Sequence, residues 1–218
     1  MNHFPDCEIF TCPQRSDEWF DLRKGVLTAS TVGAWLLKSD KTSGKARENA
    51  ICKIVSGAAG GWEPSSFENE AMKRGTELEE EAVKDFEKAT GKEVQEVGFC
   101  KSIHGRFGCS PDGLIVGESS GLEGKAPIGS THIKYRRAGI LPDEYRFQVH
   151  MSMAVTGASD WHFQSYHPGL APLRVIVERD DFTEQVFAAL KEFSLQAEIA
   201  LREESAAWEK AYGEEAKC

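Results

Sequence analysis

The chain has 218 residues, which suits one well-buried domain over 1–218, and no Pro/Gly/Ser-rich linker or internal repeat divides it. The N-terminus lacks the basic and apolar regions of a leader, and no apolar run approaches membrane-spanning length, so a soluble, cytoplasmic protein is expected. A net charge of −9 excludes a uniformly basic surface but permits an acidic exterior around a basic groove.

Ser16-Asp17-Glu18 opens a helix through Trp19, Leu22 and Arg23, closed by Gly25 in the C′ position. Thr28-Ala29-Ser30 then precedes Val32, Ala34, Trp35, Leu36 and Leu37, which makes Ser30 the expected N-cap of a second helix. The free N–H groups of a helix start suit a phosphate, and a plain capping serine is the alternative. The segments Ser39 to Lys45 and Gly57 to Gly61 read as loops within the domain. A capping box, Ser65-x-x-Glu68, starts a long helix that ends at Thr90-Gly91. Met72, Gly75, Glu79, Ala82/Val83 and Phe86 form its apolar stripe, and Lys73, Glu77, Glu80, Lys84 and Glu87 its solvated face. Glu79 is the acid that intrudes on the stripe. A metal cluster, a salt bridge or a partly exposed stripe edge would each accommodate it.

Val94–Phe99, Gly108–Val116 and Gly121–Lys125 follow as strands. A helix begins at Leu141-Pro142, with Pro142 at N1, Gly157 past its end, and Tyr145, Gln148, Ser152 and Val155 on one face. Trp161–Tyr166 and Leu173–Glu178 read as strands, and Asp181 caps a last helix over about 181–216 with Phe182, Val186, Leu190, Phe193 and Ala197 on one side. The order predicts an α/β fold, a central mixed sheet flanked by helices. Six scattered cysteines without a C-x-x-C pair argue against a zinc or iron–sulfur centre. The six histidines lack ligand spacing; His104 and His150 read as structural or surface residues, with a place near the site as the alternative.

Ser110-Pro111-Asp112-Gly113 and Leu122-Glu123-Gly124-Lys125-Ala126-Pro127 carry the chemistry. Gly117-Glu118-Ser119-Ser120-Gly121 is turn chemistry between two strands, so a hairpin brings Asp112 and Glu123 together at one end of a sheet. Alternation places Glu123 and Lys125 on the same face. Two carboxylates and an ammonium suit Mg²⁺ chemistry on a phosphodiester: the acids hold the hard cation and the lysine polarises a water. This is the D…E-x-K pattern of a restriction-endonuclease-like core. An ordinary ion pair on a surface hairpin is the alternative. Basic residues collect at Lys134-Tyr135-Arg136-Arg137 and around Arg15, Arg23 and Lys24.

In order, Gln14…Trp19…Leu22-Arg23-x-Gly25-x-x-Thr28-Ala29-Ser30, Arg74-Gly75-x-x-x-Glu79, Ser110-Pro111-Asp112-Gly113-Leu114, Gly121-Leu122-Glu123-x-Lys125-x-Pro127 and Tyr145-x-x-Gln148-x-His150…Val155-Thr156-Gly157 make the chain resemble the lambda-exonuclease family, the YqaJ-type viral recombinases. These stretches run from residue 14 to 157. The resemblance implies a Mg²⁺-dependent 5′→3′ exonuclease on double-stranded DNA ends, with Mn²⁺ as a substitute and two ions per site. It also implies a homotrimeric ring working beside a single-strand annealing protein, with no membrane association. By the same carry-over Asp112, Glu123 and the Gly124 carbonyl hold metal, Lys125 assists the water, and Glu79 and Gln148 complete the site. Arg23, Ser30 and Ser110 match positions that grip the 5′-phosphate, while Lys134, Arg136 and Arg137 are the further DNA-binding candidates. The chain reads E-G-K-A-P where the family usually has E-I-K-C-P, and a glycine at 124 is expected to loosen that strand. Thr131 stands where family members can carry an arginine. A structure-specific or RecB-like endonuclease on the same fold is the enzyme alternative. A non-catalytic DNA-end-binding partner of an annealing protein is the other.

Overall fold

A computed structural model describes residues 4–61 and 70–213. The capping box at Ser65 and Glu68 lies outside the described residues, as do the side chains of Met72, Lys73, Arg74 and Glu77. The chain runs β1 (Cys7–Phe10), α1 (Asp17–Arg23), β2 (Leu27–Thr28), two 3₁₀ turns (Ala29–Thr31, Ala34–Leu36), α2 (Lys41–Ala58) and α3 (Glu70–Thr90). Then come β3 (Val94–Gln95), β4 (Phe99–Ser102), β5 (Phe107–Cys109), β6 (Gly113–Ile115) and β7 (Ser120–Lys125). The last elements are α4 (Gly129–Ala138), α5 (Asp143–Thr156), β8 (Asp160–Ser165), β9 (Leu173–Glu178) and α6 (Asp181–Tyr212). Among the described residues no helix is long and apolar enough to cross a membrane.

The class is the expected mixed α/β, but two sheets replace the single central one. The first has the order β1-β4-β5-β2 and the second β3-β6-β7-β8-β9. Two strands predicted as continuous are broken where the chain crosses between sheets. Val94-Gln95 pairs in the second sheet while Phe99 opens a strand of the first. Phe107–Cys109 belongs to the first sheet and Gly113–Ile115 to the second, with Ser110-Pro111-Asp112 as the crossing. Pro111 has no N–H to give a ladder, which suits a break there. The hairpin forms as predicted: β6 and β7 are antiparallel, with Gly113 opposite Leu122 and Leu114 opposite Gly121.

Several helix boundaries differ from the sequence reading. Ser30 does not cap an α-helix. It lies inside the first 3₁₀ turn, whose N-cap is Thr28. The helix falls later, where a loop was expected: Asp40 accepts from Ser43 N–H at 2.9 Å and starts α2, whose Ile54 and Val55 are buried. Asp180 rather than Asp181 caps α6, accepting from the N–H groups of Phe182 and Thr183. Pro142 sits at the N-cap of α5 rather than at N1.

The core is built around α5. Every residue from Val149 to Thr156 is buried, as a helix enclosed on all sides must be. It packs on α6, β4, β5 and β8, so the residues preceding Val149 are held against the second sheet. A smaller cluster, Phe86, Ile115 and Leu122, seats α3 over the hairpin.

Gly25 closes α1 at φ +66°, where an added Cβ would stand 2.8 Å from the Ala58 Cβ. The α1–α2 junction therefore requires glycine both for conformation and for space. Gly25→Ala is expected to lower stability by about 2–4 kcal/mol, read in urea unfolding. A midpoint equal to that of the wild type would contradict the packing described.

Candidate active site

Asp112 leaves the first sheet and β7 receives it in the second. Its N–H donates to the Leu122 carbonyl at 3.1 Å, and its Oδ2 accepts from the Gly124 N–H at 2.6 Å. That bond also corrects the expected loosening at Gly124: β7 stays regular, with Gly124 in register opposite Gln164 of β8. Glu123 is only 2% exposed. Its Oε1 accepts from Gln148 Nε2 of α5 at 2.6 Å and from the Lys125 ammonium. The Lys125 nitrogen also lies 5.5 Å from the centre of the Tyr145 ring, which stacks on Phe163. The predicted convergence of Asp112, Glu123, Lys125 and Gln148 is what the fold produces.

Glu79 reaches the edge of this cluster from α3. The helix is tied down by Gln164, whose Nε2 donates to the Ala82 carbonyl at 2.7 Å and whose Oε1 accepts from Arg174 Nε at 2.7 Å. Arg174 in turn pairs with Asp85 at 2.5 Å. With Ala82 and Phe86 buried, the described part of the stripe faces inward, and Glu79 emerges at its rim, its side chain 44% exposed. Its ion-pair partner is Arg15, at 3.7 Å. Glu79, Asp112 and Gly124 line one small gap. Among the described residues no three His, Cys, Asp or Glu side chains stand close enough to hold a cation by themselves. The acids best placed are Asp112 and Glu123, with the Gly124 backbone between them.

Charge dominates this site. Burial, first of all, pushes Asp112 above the usual carboxylate range, against the pull of Lys125, the Gly124 amide and Arg15. Burial also lifts Glu123 to about 7, opposed by Lys125 and aided by Asp112. Glu79 is raised by burial and then by Asp112. Burial works to lower Lys125, but the fields of Glu123 and Asp112 outweigh it and hold the ammonium charged. Acceptor oxygens in excess of positive charge are the donor set of a hard divalent cation.

A second cluster of polar side chains adjoins the acids through the chain itself. Ser110 Oγ, two residues before Asp112, accepts from Trp19 Nε1 at 2.9 Å and from the Arg23 guanidinium at 3.2 Å. The guanidinium lies 4.0 Å over the Trp19 ring. Burial lowers Arg23 to about 10, which leaves it charged at neutral pH, with a hydroxyl and an indole rather than a carboxylate beside it. β2 runs parallel to β5 with Thr28 opposite Gly108, so Ser30 and Ser110 both lie two residues beyond that pair. Ser30 is exposed, its hydroxyl 3.5 Å from that of Thr28. Gln14 donates to the Val97 and Pro111 carbonyls at 3.1 and 2.9 Å.

The sequence reading missed α4, which follows β7 directly. His132 anchors it, bonded to Ser165 Oγ at 2.8 Å and to the Ala171 carbonyl at 3.0 Å. Lys134, Arg136 and Arg137 are exposed on this helix, Lys134 and Arg137 one turn apart, and Thr131 is half-buried near its start. Arg15 was also missed as a site residue. Its φ of +70° is a conformation that costs an ordinary side chain about 1–2 kcal/mol. His150 is structural, as expected: it is buried and bonds Thr183 Oγ1 at 2.7 Å. Cys7, Cys100 and Cys109 are buried free thiols of the first sheet.

A family model for the YqaJ-like viral recombinase domain matches residues 18–159. Among solved structures, the alkaline exonuclease LHK-Exo from Laribacter hongkongensis is 31% identical, with a TM-score of 0.75 over 90% of this chain and 100% of that one. A structure of LHK-Exo in complex with dAMP is 33% identical, with a TM-score of 0.69 over 88% and 100%. A phage-related exonuclease from Haemophilus somnus 129PT shares 14% identity and a TM-score of 0.58 over 83% and 96%, a likeness of fold alone. No curated protein matches the chain.

The Glu123 carboxyl, raised to about 7 from an ordinary 4.5, gives stability that is complete below about 4.5 and lost as pH rises through 7. Glu123→Gln removes that loss. Without divalent ions the variant is expected to melt above the wild type at pH 8, with the gap closing by pH 5. A variant that melts lower at pH 8 would contradict the charge analysis.

Proposed function

Because the chain belongs to the YqaJ-like viral recombinase domain family and is a nuclease, we propose that it degrades the 5′ strand of linear double-stranded DNA to mononucleotides in the 5′→3′ direction. The observation that carries this reading is the shared segment Ser110-Pro111-Asp112. It joins the Arg23–Ser110–Trp19 cluster to the carboxylates, so a terminal phosphate and the next phosphodiester can be held together. An endonuclease has no need of a terminal-phosphate pocket beside its acids.

Asp112, Glu123 and the Gly124 carbonyl would hold Mg²⁺ or Mn²⁺, with Glu79 and Gln148 completing the surroundings; the surplus of buried carboxylate oxygen fits such an ion. A bound ion, or a pair of them, supplies Lewis-acid polarisation of the phosphodiester and lowers the pKa of water. Lys125, held charged, orients and polarises the attacking water. Attack forms a new P–O bond and breaks the bond to the 3′ oxygen, which takes up a proton. The shortened strand then carries a fresh 5′-phosphate for Arg23, Ser30 and Ser110. The mononucleotide in the LHK-Exo complex agrees with such a product. The intact acid–lysine set argues against a purely DNA-end-binding role.

Exposed Lys134, Arg136 and Arg137 would line the DNA path into the site. With a net charge of −9, convergence of such residues in a homotrimeric ring would concentrate the few cations on one channel. The 3′ tails so exposed would serve a single-strand annealing protein in recombination, in the cytoplasm of a bacterial or phage-infected cell.

Linear duplex DNA is expected to lose nucleotides in Mg²⁺ while closed circular DNA does not. Asp112→Ala and Glu123→Ala should abolish the loss, and Lys125→Ala should lower the rate more than DNA affinity. Degradation by purified Glu123→Ala would refute the assignment. Ends with a 5′-phosphate should be digested faster than 5′-hydroxyl ends, and Arg23→Ala should erase the preference, since charge-assisted Arg–phosphate bonds are strong. Equal rates on both ends by the wild type would overturn the phosphate pocket.

A further inference from the structure

Arg15 is the only residue other than glycine with a positive φ among the described residues. Such strain persists where the surroundings over-determine it, and it clusters at functional sites. The surroundings here are explicit. Gln14, bonded to the Val97 and Pro111 carbonyls, ties the chain before Arg15 to the segment that carries Asp112. Ser16 caps α1 through the Trp19 N–H at 3.2 Å immediately after it. Arg15 is thereby delivered over the acids, with Nη2 3.7 Å from Glu79 and a field that lowers both Glu79 and Asp112.

The ion pair itself does not account for this arrangement. At 3.7 Å it is longer than a hydrogen bond, both partners are near half exposed, and pairs of that kind contribute little to stability. Among the described residues the other cations near the site are engaged: Lys125 bonds Glu123, and Arg23 bonds Ser110 beside it. Arg15 presents a planar fork of donors, the geometry that fits phosphate oxygens. We propose that Arg15 is a catalytic residue that binds a non-bridging oxygen of the scissile phosphate and stabilises the negative charge developing there. The inference rests on the nuclease reading above and adds to it the group that faces the reacting phosphate.

The test compares wild type, Arg15→Gly, Arg15→Asn and Arg15→Lys on a 5′-phosphorylated linear duplex at saturating Mg²⁺. Affinity for the same duplex without divalent ion and melting temperature are measured alongside. Glycine and asparagine suit the left-handed backbone, so those variants should melt no lower than the wild type. Their kcat is expected to fall about 100-fold, while KM and metal-free affinity stay within about threefold. Arg15→Lys should recover part of the rate. A kcat within threefold of wild type in both the Gly and Asn variants would make Arg15 a mere counter-ion for Glu79 and overturn the proposal. A loss of affinity matching the loss of rate would place its contact elsewhere on the DNA and overturn it equally. An inactive wild type would overturn the nuclease reading and this one with it, whereas an active wild type matched by its variants overturns only the role of Arg15.

Discussion

Burial of Asp112, Glu123 and Glu79 out of water, with repulsion from neighbouring acids added at Glu123 and Glu79 and offset by the ammonium of Lys125 and the outlying guanidinium of Arg15, is the constraint around which the surrounding structure is organised. Buried carboxylates do not gather without support. Asp112 is pinned by the Gly124 amide and Glu123 by Gln148, which stands just before the buried half of α5. α3 is held in place by the Gln164–Arg174–Asp85 chain of bonds. Each support is a rigid element holding a group that would otherwise move apart. The fold thus maintains a concentration of negative charge that a divalent cation would relieve, and it does so at the expense of its own stability at alkaline pH.

What the sequence made legible was local. The β6–β7 hairpin follows from Gly117 and its neighbours, and the alternation along β7 puts Glu123 and Lys125 on one face. The acid in the apolar stripe of α3 marked Glu79, though its outcome combines two of the alternatives: a rim position and an ion pair with Arg15. Gln148 entered the site only through the family resemblance; the helical period places it on one face with Tyr145, and in the structure both meet the cluster. These features depend on neighbours within a few residues, where period and turn chemistry suffice.

What was not legible depends on distant partners. Two sheets look like one when Gly108–Val116 is read as a continuous strand, although Ser110-Pro111-Asp112-Gly113 carries the turn chemistry that breaks it. α4 begins with Gly129, Ser130 and Thr131, poor helix formers, and its place is set by His132 reaching Ser165 and Ala171. In α2, Gly44 weakened the helical pattern that Asp40 starts. Arg15 gave no sign, since nothing in Gln14-Arg15-Ser16 announces a left-handed arginine; only the tethering of Gln14 to the Asp112 segment does so.

The central claim is that burial holds a proton on Glu123 near neutral pH, one that a divalent cation bound at the proposed site would displace. Titration calorimetry of Mg²⁺ into the protein at pH 7, repeated in buffers of different ionisation enthalpy, counts the protons expelled on binding. With Glu123 near 7, roughly half a proton or more should leave per protein as the ion binds, and the number should shrink by pH 8.5. Binding with no proton release at pH 7, or no binding at all, would contradict the account.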